Sequence, residues 1–164
     1  MDPREPMTPA GHNMLKEKLR LLKEIEMPRI SKDIGAAIAM GDLSENSEYH
    51  AAKDRQGMIA AQIRDMEDKL SRAEIIDPAR LSGTRVIFSA TVTVEDLETA
   101  DRMTYTIVGE DESDTKSNKI SFKSPLARAL IGREEGDEVV VNTPRGRKEY
   151  EIVEVRYNGA KAED

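Results

Sequence analysis

The chain has 164 residues, 38% hydrophobic, 4% aromatic and 35% charged, a balance that suits long solvated helices better than a thick globular core. It has no cysteines, which excludes disulfides, thiol catalysis and thiolate metal sites. The net charge of -7 argues against nonspecific wrapping of nucleic acid, because affinity for phosphates comes mainly from clustered lysine and arginine.

From the first residues of the sequence we expect no signal peptide. Residues 1–9 are polar, without an apolar run that could form the core of a signal peptide, and no stretch of 18 uncharged apolar residues follows. The two histidines, His12 and His50, lie far apart, so we expect no zinc site. We therefore expect a soluble, cytoplasmic protein with no membrane contact. We also expect it to be a monomer.

Residues 8–40 are predicted to form one long helix. Thr8 and Pro9 suit an N-cap followed by the first helical position. Pro28 removes one backbone hydrogen bond and crowds the preceding turn, so we expect a kink near Met27 or Pro28. Apolar residues with the three-and-four spacing of a buried stripe are Leu15, Leu19, Leu22, Ile30, Ile34 and Ile38.

A second helix is predicted to open near residues 42–45, after Gly41 breaks the pattern. Because about one to four residues would then separate the two helices, they must fold back as an antiparallel coiled-coil hairpin. Roughly 28 residues of helix at 1.5 Å rise make a finger on the order of 40 Å long. The predicted seam of the second helix is Tyr49, Ala52, Gln56, Ile59, Ile63, Met66, Leu70 and Ala73.

The apolar period changes to two after a predicted linker, which follows the helix stop at Pro78. Ser124 and Pro125 mark the start of a short helix that ends at Gly132, and a hairpin turn is predicted near Pro144. Strands are predicted at residues 84–94, 103–108, 119–122, 138–141 and 149–157. The predicted α+β fold has a coiled-coil hairpin at 1–77, a linker at 78–83, a small sheet domain at 84–158 and a tail at 159–164.

Acidic residues gather at the predicted bend, and there is no lysine or arginine between residues 34 and 52. In one interpretation Asp42 is the N-cap of the second helix and Glu45 completes a capping box. In the other, Asp42 and Glu45, one helical turn apart, aim their oxygens at one Mg²⁺. Two carboxylates are too few to hold Mg²⁺ alone, so a second molecule would have to complete the site.

The first basic residues after the bend are Lys53 and Arg55. They could contact a phosphodiester backbone, although with Asp54 between them a solvated helix face is the commoner explanation. His50, a single imidazole beside the seam, is more often incidental than catalytic in such a position. Gln56 is a polar seam residue, whose usual role is to set helix register.

Two long motifs resemble those of the GreA/GreB family of transcription elongation factors. Residues 41–53, GDLSENSEYHAAK, resemble the family's fingertip signature, and residues 124–132, SPLARALIG, resemble its C-terminal motif. Residues 85–94 resemble the GreA branch. The likeness covers residues 7–157. The stretch Ile38, Ala39, Met40 departs from it, since the family commonly has Arg, Glu and a further polar residue there.

The resemblance implies an accessory factor of bacterial RNA polymerase, not an enzyme in itself. An FKBP-like C-terminal domain would dock beside the secondary channel of the polymerase while the coiled coil enters it. Asp42 and Glu45 match the acidic pair that helps to hold a second Mg²⁺ during cleavage of backtracked RNA. The Mg²⁺ is then shared with the polymerase active site, and no cofactor is expected on the free chain.

Further positions match contacts of the family. Lys53 and Arg55 match positions that contact the 3′ end of backtracked RNA, and Ser124 and Pro125 match a part that meets the polymerase. One alternative is a paralogue that blocks the channel without stimulating cleavage. Another is a coiled-coil scaffold or chaperone with an unrelated partner.

Overall fold

The structure is a computed structural model that describes residues 4–157, so the predicted tail at 159–164 and Asn158 lie outside it. The described chain forms two units. One comprises residues 4–5 and 12–73, and the other comprises residues 6–11 and 74–157. Helices fill the first unit and a mixed sheet the second, which confirms the α+β class.

The first helical arm runs from Pro9 to Ala39. It consists of α1 (Pro9–Leu21), a π-helical turn (Leu22–Glu26) and α2 (Met27–Ala39). The predicted N-cap is confirmed, because the Gly11 N–H donates to Thr8 Oγ1 at 3.0 Å. The second arm is α3 (Ser47–Ser71).

The irregularity expected near Pro28 is the π-helical turn just before it. There the Met27 N–H donates to the carbonyl of Leu22, five residues back. Pro28 has no N–H to donate, and its ring crowds the carbonyl four residues earlier, so a regular α-helical pattern is interrupted there. A wider turn at this point satisfies the backbone without ending the helix.

The π-helical turn also decides which residues are buried after it. Eight positions separate Leu22 from Ile30, one more than the seven of a coiled-coil repeat, and the wider turn absorbs the extra residue. The stripe then continues seven positions on to Ala37, which is 3% exposed, whereas Ile38 is 51% exposed. The predicted burial of Ile38 is therefore wrong.

The two arms pack as an antiparallel hairpin, as predicted. The segments α2 and α3 contact each other, and none of the eight predicted seam residues is exposed. Cross-hairpin ion pairs join Lys23 to Glu67 at 3.0 Å and Arg55 to Asp33 at 3.3 Å. All four side chains are about half exposed, so each pair contributes only about 0–1 kcal/mol and the apolar seam supplies most of the stability.

A two-stranded sheet of β1 (Glu5–Met7) and β2 (Ala73–Ile75) was not expected from the sequence. The predicted helix ends two residues before Ala73, at Ser71. The Glu5 N–H donates to the carbonyl of Arg72 at 2.9 Å, and the buried Glu5 carboxylate lies 3.5 Å from the Arg72 guanidinium. Three-residue strands are too short to give a clear alternating pattern.

The second unit is built on a five-stranded mixed sheet in the order β5-β4-β3-β7-β6. The β4–β5 pair is parallel and the others are antiparallel. The predicted hairpin turn is confirmed by the pairing of Thr143 with Gly146. The strands are β3 (Thr91–Asp96), β4 (Arg102–Val108), β5 (Lys119–Ser121), β6 (Glu138–Thr143) and β7 (Gly146–Arg156).

Residues 84–90 have the predicted alternating burial but not the predicted strand ladder. Val86, Phe88 and Ala90 are buried, as the pattern predicts, yet the continuous strand ladder begins only at Thr91. Ser89 adopts a φ of 75°, which interrupts an extended strand. The segment is held by an isolated β-bridge between Arg85 and Glu134 and by the hydroxyl of Tyr157, which donates to the Arg85 carbonyl at 2.6 Å. Burial raises the pKa of Tyr157.

The predicted short helix is confirmed as α4 (Pro125–Leu130). Ser124 Oγ accepts a hydrogen bond from the Ala127 N–H at 3.3 Å, the arrangement expected of an N-cap. Ala127 and Leu130 are 0% exposed and join the apolar core of the sheet. The core therefore fixes where Ser124 and Pro125 lie on the surface.

Candidate functional site

The bend of the hairpin is a loop of seven residues, 40–46, which connects α2 to α3. It is longer than the one to four residues expected, because α3 begins at Ser47 and not near residues 42–45. The N-cap of α3 is Asn46, whose Oδ1 accepts a hydrogen bond from the Tyr49 N–H at 3.0 Å. The capping box predicted for Asp42 and Glu45 is therefore wrong.

Asp42 organises the loop itself. Its Oδ1 accepts hydrogen bonds from the N–H of Ser44 at 3.1 Å and from Ser44 Oγ at 2.8 Å, as in an Asx turn. Gly41 before it has a φ of 110°, a conformation that residues with a side chain rarely adopt. The Asp42 side chain is exposed. Its conformation is therefore held by the loop while the carboxylate faces solvent.

Glu45 lies three residues after Asp42 in the same loop. It is exposed, and it forms no hydrogen bond or ion pair with any of residues 4–157. A weak 3.5 Å hydrogen bond from the Asn46 N–H to the Leu43 carbonyl closes the turn that contains Glu45. Asp42 and Glu45 are thus both exposed at the bend, as predicted, and they lie in the loop and not on one helical face.

Asn46 ties the bend back to the first arm, a role that the sequence reasoning missed. Its Nδ2 donates to the Ala37 carbonyl at 2.8 Å, so one side chain caps α3 and also bonds the end of α2. His50 contacts the same loop, with Nε2 3.4 Å from the Ser44 carbonyl. Asparagine is among the preferred N-cap residues, which is the signal that could have identified it.

Replacing Asn46 with Ala is expected to lower the free energy of unfolding by about 1–3 kcal/mol, because the cap and the bond to Ala37 are both lost. Asn46→Ser separates the two contributions, since serine is a good cap but is too short to reach α2. Urea titration of the three proteins measures the difference. Equal stability of the Ala and Ser variants would show that the cap contributes nothing.

The two candidate RNA-binding residues have different hydrogen-bond partners. Lys53 Nζ donates to Gln56 Oε1 at 3.2 Å, and the Arg55 guanidinium donates to Asp33 Oδ2 at 3.3 Å across the hairpin. Both side chains remain exposed. Their contact with RNA stays a prediction, and Arg55 would have to exchange its partner to make it.

Two family models cover most of the chain. Residues 5–75 match the transcription elongation factor N-terminal domain, and residues 81–157 match the C-terminal domain of the transcription elongation factors GreA/GreB. The chain belongs to the GreA/GreB family. The resemblance seen in the two sequence motifs is confirmed.

Curated relatives carry the same family name. The chain is 53% identical to transcription elongation factor GreA of Hyphomonas neptunium, over 94% of this chain and 98% of the relative. It is 54% identical to GreA of an Anaeromyxobacter species, over 94% and 93%. A solved structure, the GreA factor homolog 1 of Thermus thermophilus, is 29% identical over 93% and 99%, with a TM-score of 0.43. As a GreA/GreB protein the chain is a transcription elongation factor.

For a GreA/GreB protein, the chemistry available at the bend is that of two hard oxygen ligands. Between residues 4 and 157 there is no group of three or more acidic, histidine or cysteine side chains that could hold a metal ion. The binding of Mg²⁺ by Asp42 and Glu45 stays a prediction. None of the helices in the described chain combines the length and apolar character needed to cross a membrane.

Proposed function

We propose that this chain inserts its hairpin bend into the secondary channel of RNA polymerase and stimulates cleavage of backtracked RNA. The observation that carries the proposal is the bend itself, which exposes Asp42 and Glu45 on a loop held by Asn46. The chain contributes side chains to the active centre of the polymerase and has no catalytic centre of its own. In this proposal the chain acts as an accessory elongation factor by supplying these side chains.

Asp42 and Glu45 act by adding negative oxygen ligands to a metal site that the polymerase completes. A Mg²⁺ held jointly would stabilise the charge that develops on the cleaved phosphodiester. The chain keeps both carboxylates free of ion pairs, and there is no lysine or arginine between residues 34 and 52 to neutralise them. Asp42 is oriented by Ser44, which uses only one of its two oxygens.

Other contacts complete the proposed complex. Lys53 and Arg55 bind the 3′ segment of the backtracked RNA, where cations offset the phosphate charge. Ser124 and Pro125, at the start of α4, contact the polymerase surface. The factor acts as a monomer in the cytoplasm, where transcription takes place.

The test is to add the purified protein to backtracked elongation complexes with Mg²⁺ present. Shortened transcripts that resume synthesis when nucleotides are added are the expected result. Transcripts of unchanged length together with slower synthesis would instead identify a channel-blocking inhibitor. Failure to bind polymerase core would favour a coiled-coil protein with another partner. Complexes without the factor give the intrinsic cleavage rate for comparison.

A further inference from the structure

Three large apolar side chains are exposed within six residues at the bend. Ile38 is 51% exposed, Met40 is 68% exposed and Leu43 is 40% exposed. We call these three residues the apolar rim. Single exposed apolar residues are ordinary on protein surfaces, whereas three within one six-residue stretch leave much apolar side chain in water around the bend.

The local structure holds the apolar rim outward. The π-helical turn directs Ala37 into the seam, which leaves the neighbouring Ile38 on the outside. The backbone of Met40 bonds to the Ala37 carbonyl at 3.1 Å, where α2 ends. Asn46 fixes the other end of the loop to the same carbonyl. A loop fastened at both ends cannot readily fold these side chains inward.

We propose that the apolar rim binds an apolar surface of RNA polymerase beside the site that receives Asp42 and Glu45. The inference rests on the proposed function, because that function brings the bend into the polymerase. Asp42 lies between Met40 and Leu43 in the chain, at most two residues from either. An extended residue spans roughly 3.3–3.6 Å, so a protein that contacts Asp42 comes within about 7 Å of both rim residues.

The chemistry of the bend favours protein over nucleic acid as the occupant of the rim. No lysine or arginine occurs between residues 34 and 52, and the loop carries two carboxylates that form no ion pair. Wherever Mg²⁺ does not neutralise the carboxylates, such a surface repels phosphate backbones. Apolar side chains gain affinity when a partner removes them from water, and the partner surface must therefore be apolar where it meets the rim.

The test compares the double variant Ile38→Gln, Met40→Gln with a control, Met14→Gln, Met58→Gln. The control side chains are 46% and 65% exposed and lie on α1 and α3, outside the bend. Binding to RNA polymerase core is measured by fluorescence anisotropy of a dye on the terminal amino group. We expect the rim variant to bind about ten-fold more weakly and the control to bind as the parent does.

Cleavage at saturating factor is measured with the same proteins. The rim variant should then cleave as fast as the parent, since its acidic pair is intact. Unchanged binding by the rim variant, or equal weakening by the control, would overturn the proposal. The proposal would also be overturned if the parent sedimented as a dimer and the rim variant as a monomer. The rim would then join two copies of this chain. Normal parent binding without any cleavage would instead refute the proposed function alone.

Discussion

Replacing Asp42 with Asn is expected to slow transcript cleavage on the order of 100-fold at saturating factor, as when a preorganised electrostatic group is lost from an active centre. Asn keeps an oxygen that can accept the bonds from Ser44, so the loop should keep its conformation. Only the negative charge is removed. Glu45→Gln is expected to act in the same direction. Single-turnover cleavage of backtracked complexes measures both.

Glu48 provides the matched control. It is an exposed acid in the first turn of α3, three residues beyond Glu45. Glu48→Gln should lose about 0.3–1 kcal/mol of helix-dipole stabilisation and retain full cleavage. Polymerase affinity should stay within about three-fold of the parent for all these variants, a difference of under ~1 kcal/mol. Full cleavage activity of the Asp42→Asn variant would contradict the proposed role of Asp42 and Glu45 in holding Mg²⁺.

Replacing Leu130 with Ala is expected to lower the free energy of unfolding of the second unit by about 2–5 kcal/mol. The Leu130 side chain is 0% exposed and packs with Ala127 of α4 and with Val139 in the core. The smaller side chain leaves a cavity that the sheet cannot close completely. The loss should also make α4 less rigid and so weaken the proposed contact of Ser124 with the polymerase. Denaturant unfolding followed by circular dichroism measures the stability.

A substitution at the adjacent residue, Ile131, distinguishes the loss of buried side-chain contacts from a general effect on α4. Ile131 ends α4 and is 37% exposed. Ile131→Ala removes a side chain of the same size from a partly solvated position, so we expect a loss below about 1 kcal/mol. Comparable losses at positions 130 and 131 would mean that α4 is not held by its buried face.

The sequence predicts the hairpin seam well because the stripe in α3 repeats without interruption. It fails at the bend, where Asp42, Ser44, Asn46 and Ser47 are all residue types that can cap a helix. Asn46 becomes the N-cap because its side chain also bonds the Ala37 carbonyl on the other arm. Such a tertiary contact leaves no signal in the local pattern.

The same limit explains the difference at Ile38. Steps of three and four lead to Ile38 when the helix is assumed to be regular, and the π-helical turn moves the buried position to Ala37. Pro28 indicates that some irregularity must occur, but not whether the helix bends or adds a residue to one turn. The exposure of Ile38 is therefore visible only in the structure.

In the second unit, alternation predicts burial more reliably than pairing. Val86 and Phe88 face the core as predicted, yet the continuous strand ladder begins only at Thr91. Arg85 is held by an isolated β-bridge to Glu134 and by the hydroxyl of Tyr157, 72 positions away, which donates to the Arg85 carbonyl. A contact over that distance cannot be predicted from the residues around position 85.

The most direct measurement uses the absence of cysteine from the chain. Ser47→Cys, at the start of α3, gives a single attachment point for an iron chelate that cuts nearby RNA through hydroxyl radicals. Met58→Cys lies 11 positions along the same helix, roughly 16 Å away, and serves as the control. In backtracked complexes we predict that the chelate at position 47 cuts the RNA at its 3′ end and that the chelate at position 58 cuts there much less. An intact 3′ end with the chelate at position 47, in complexes that bind the factor, would contradict the account.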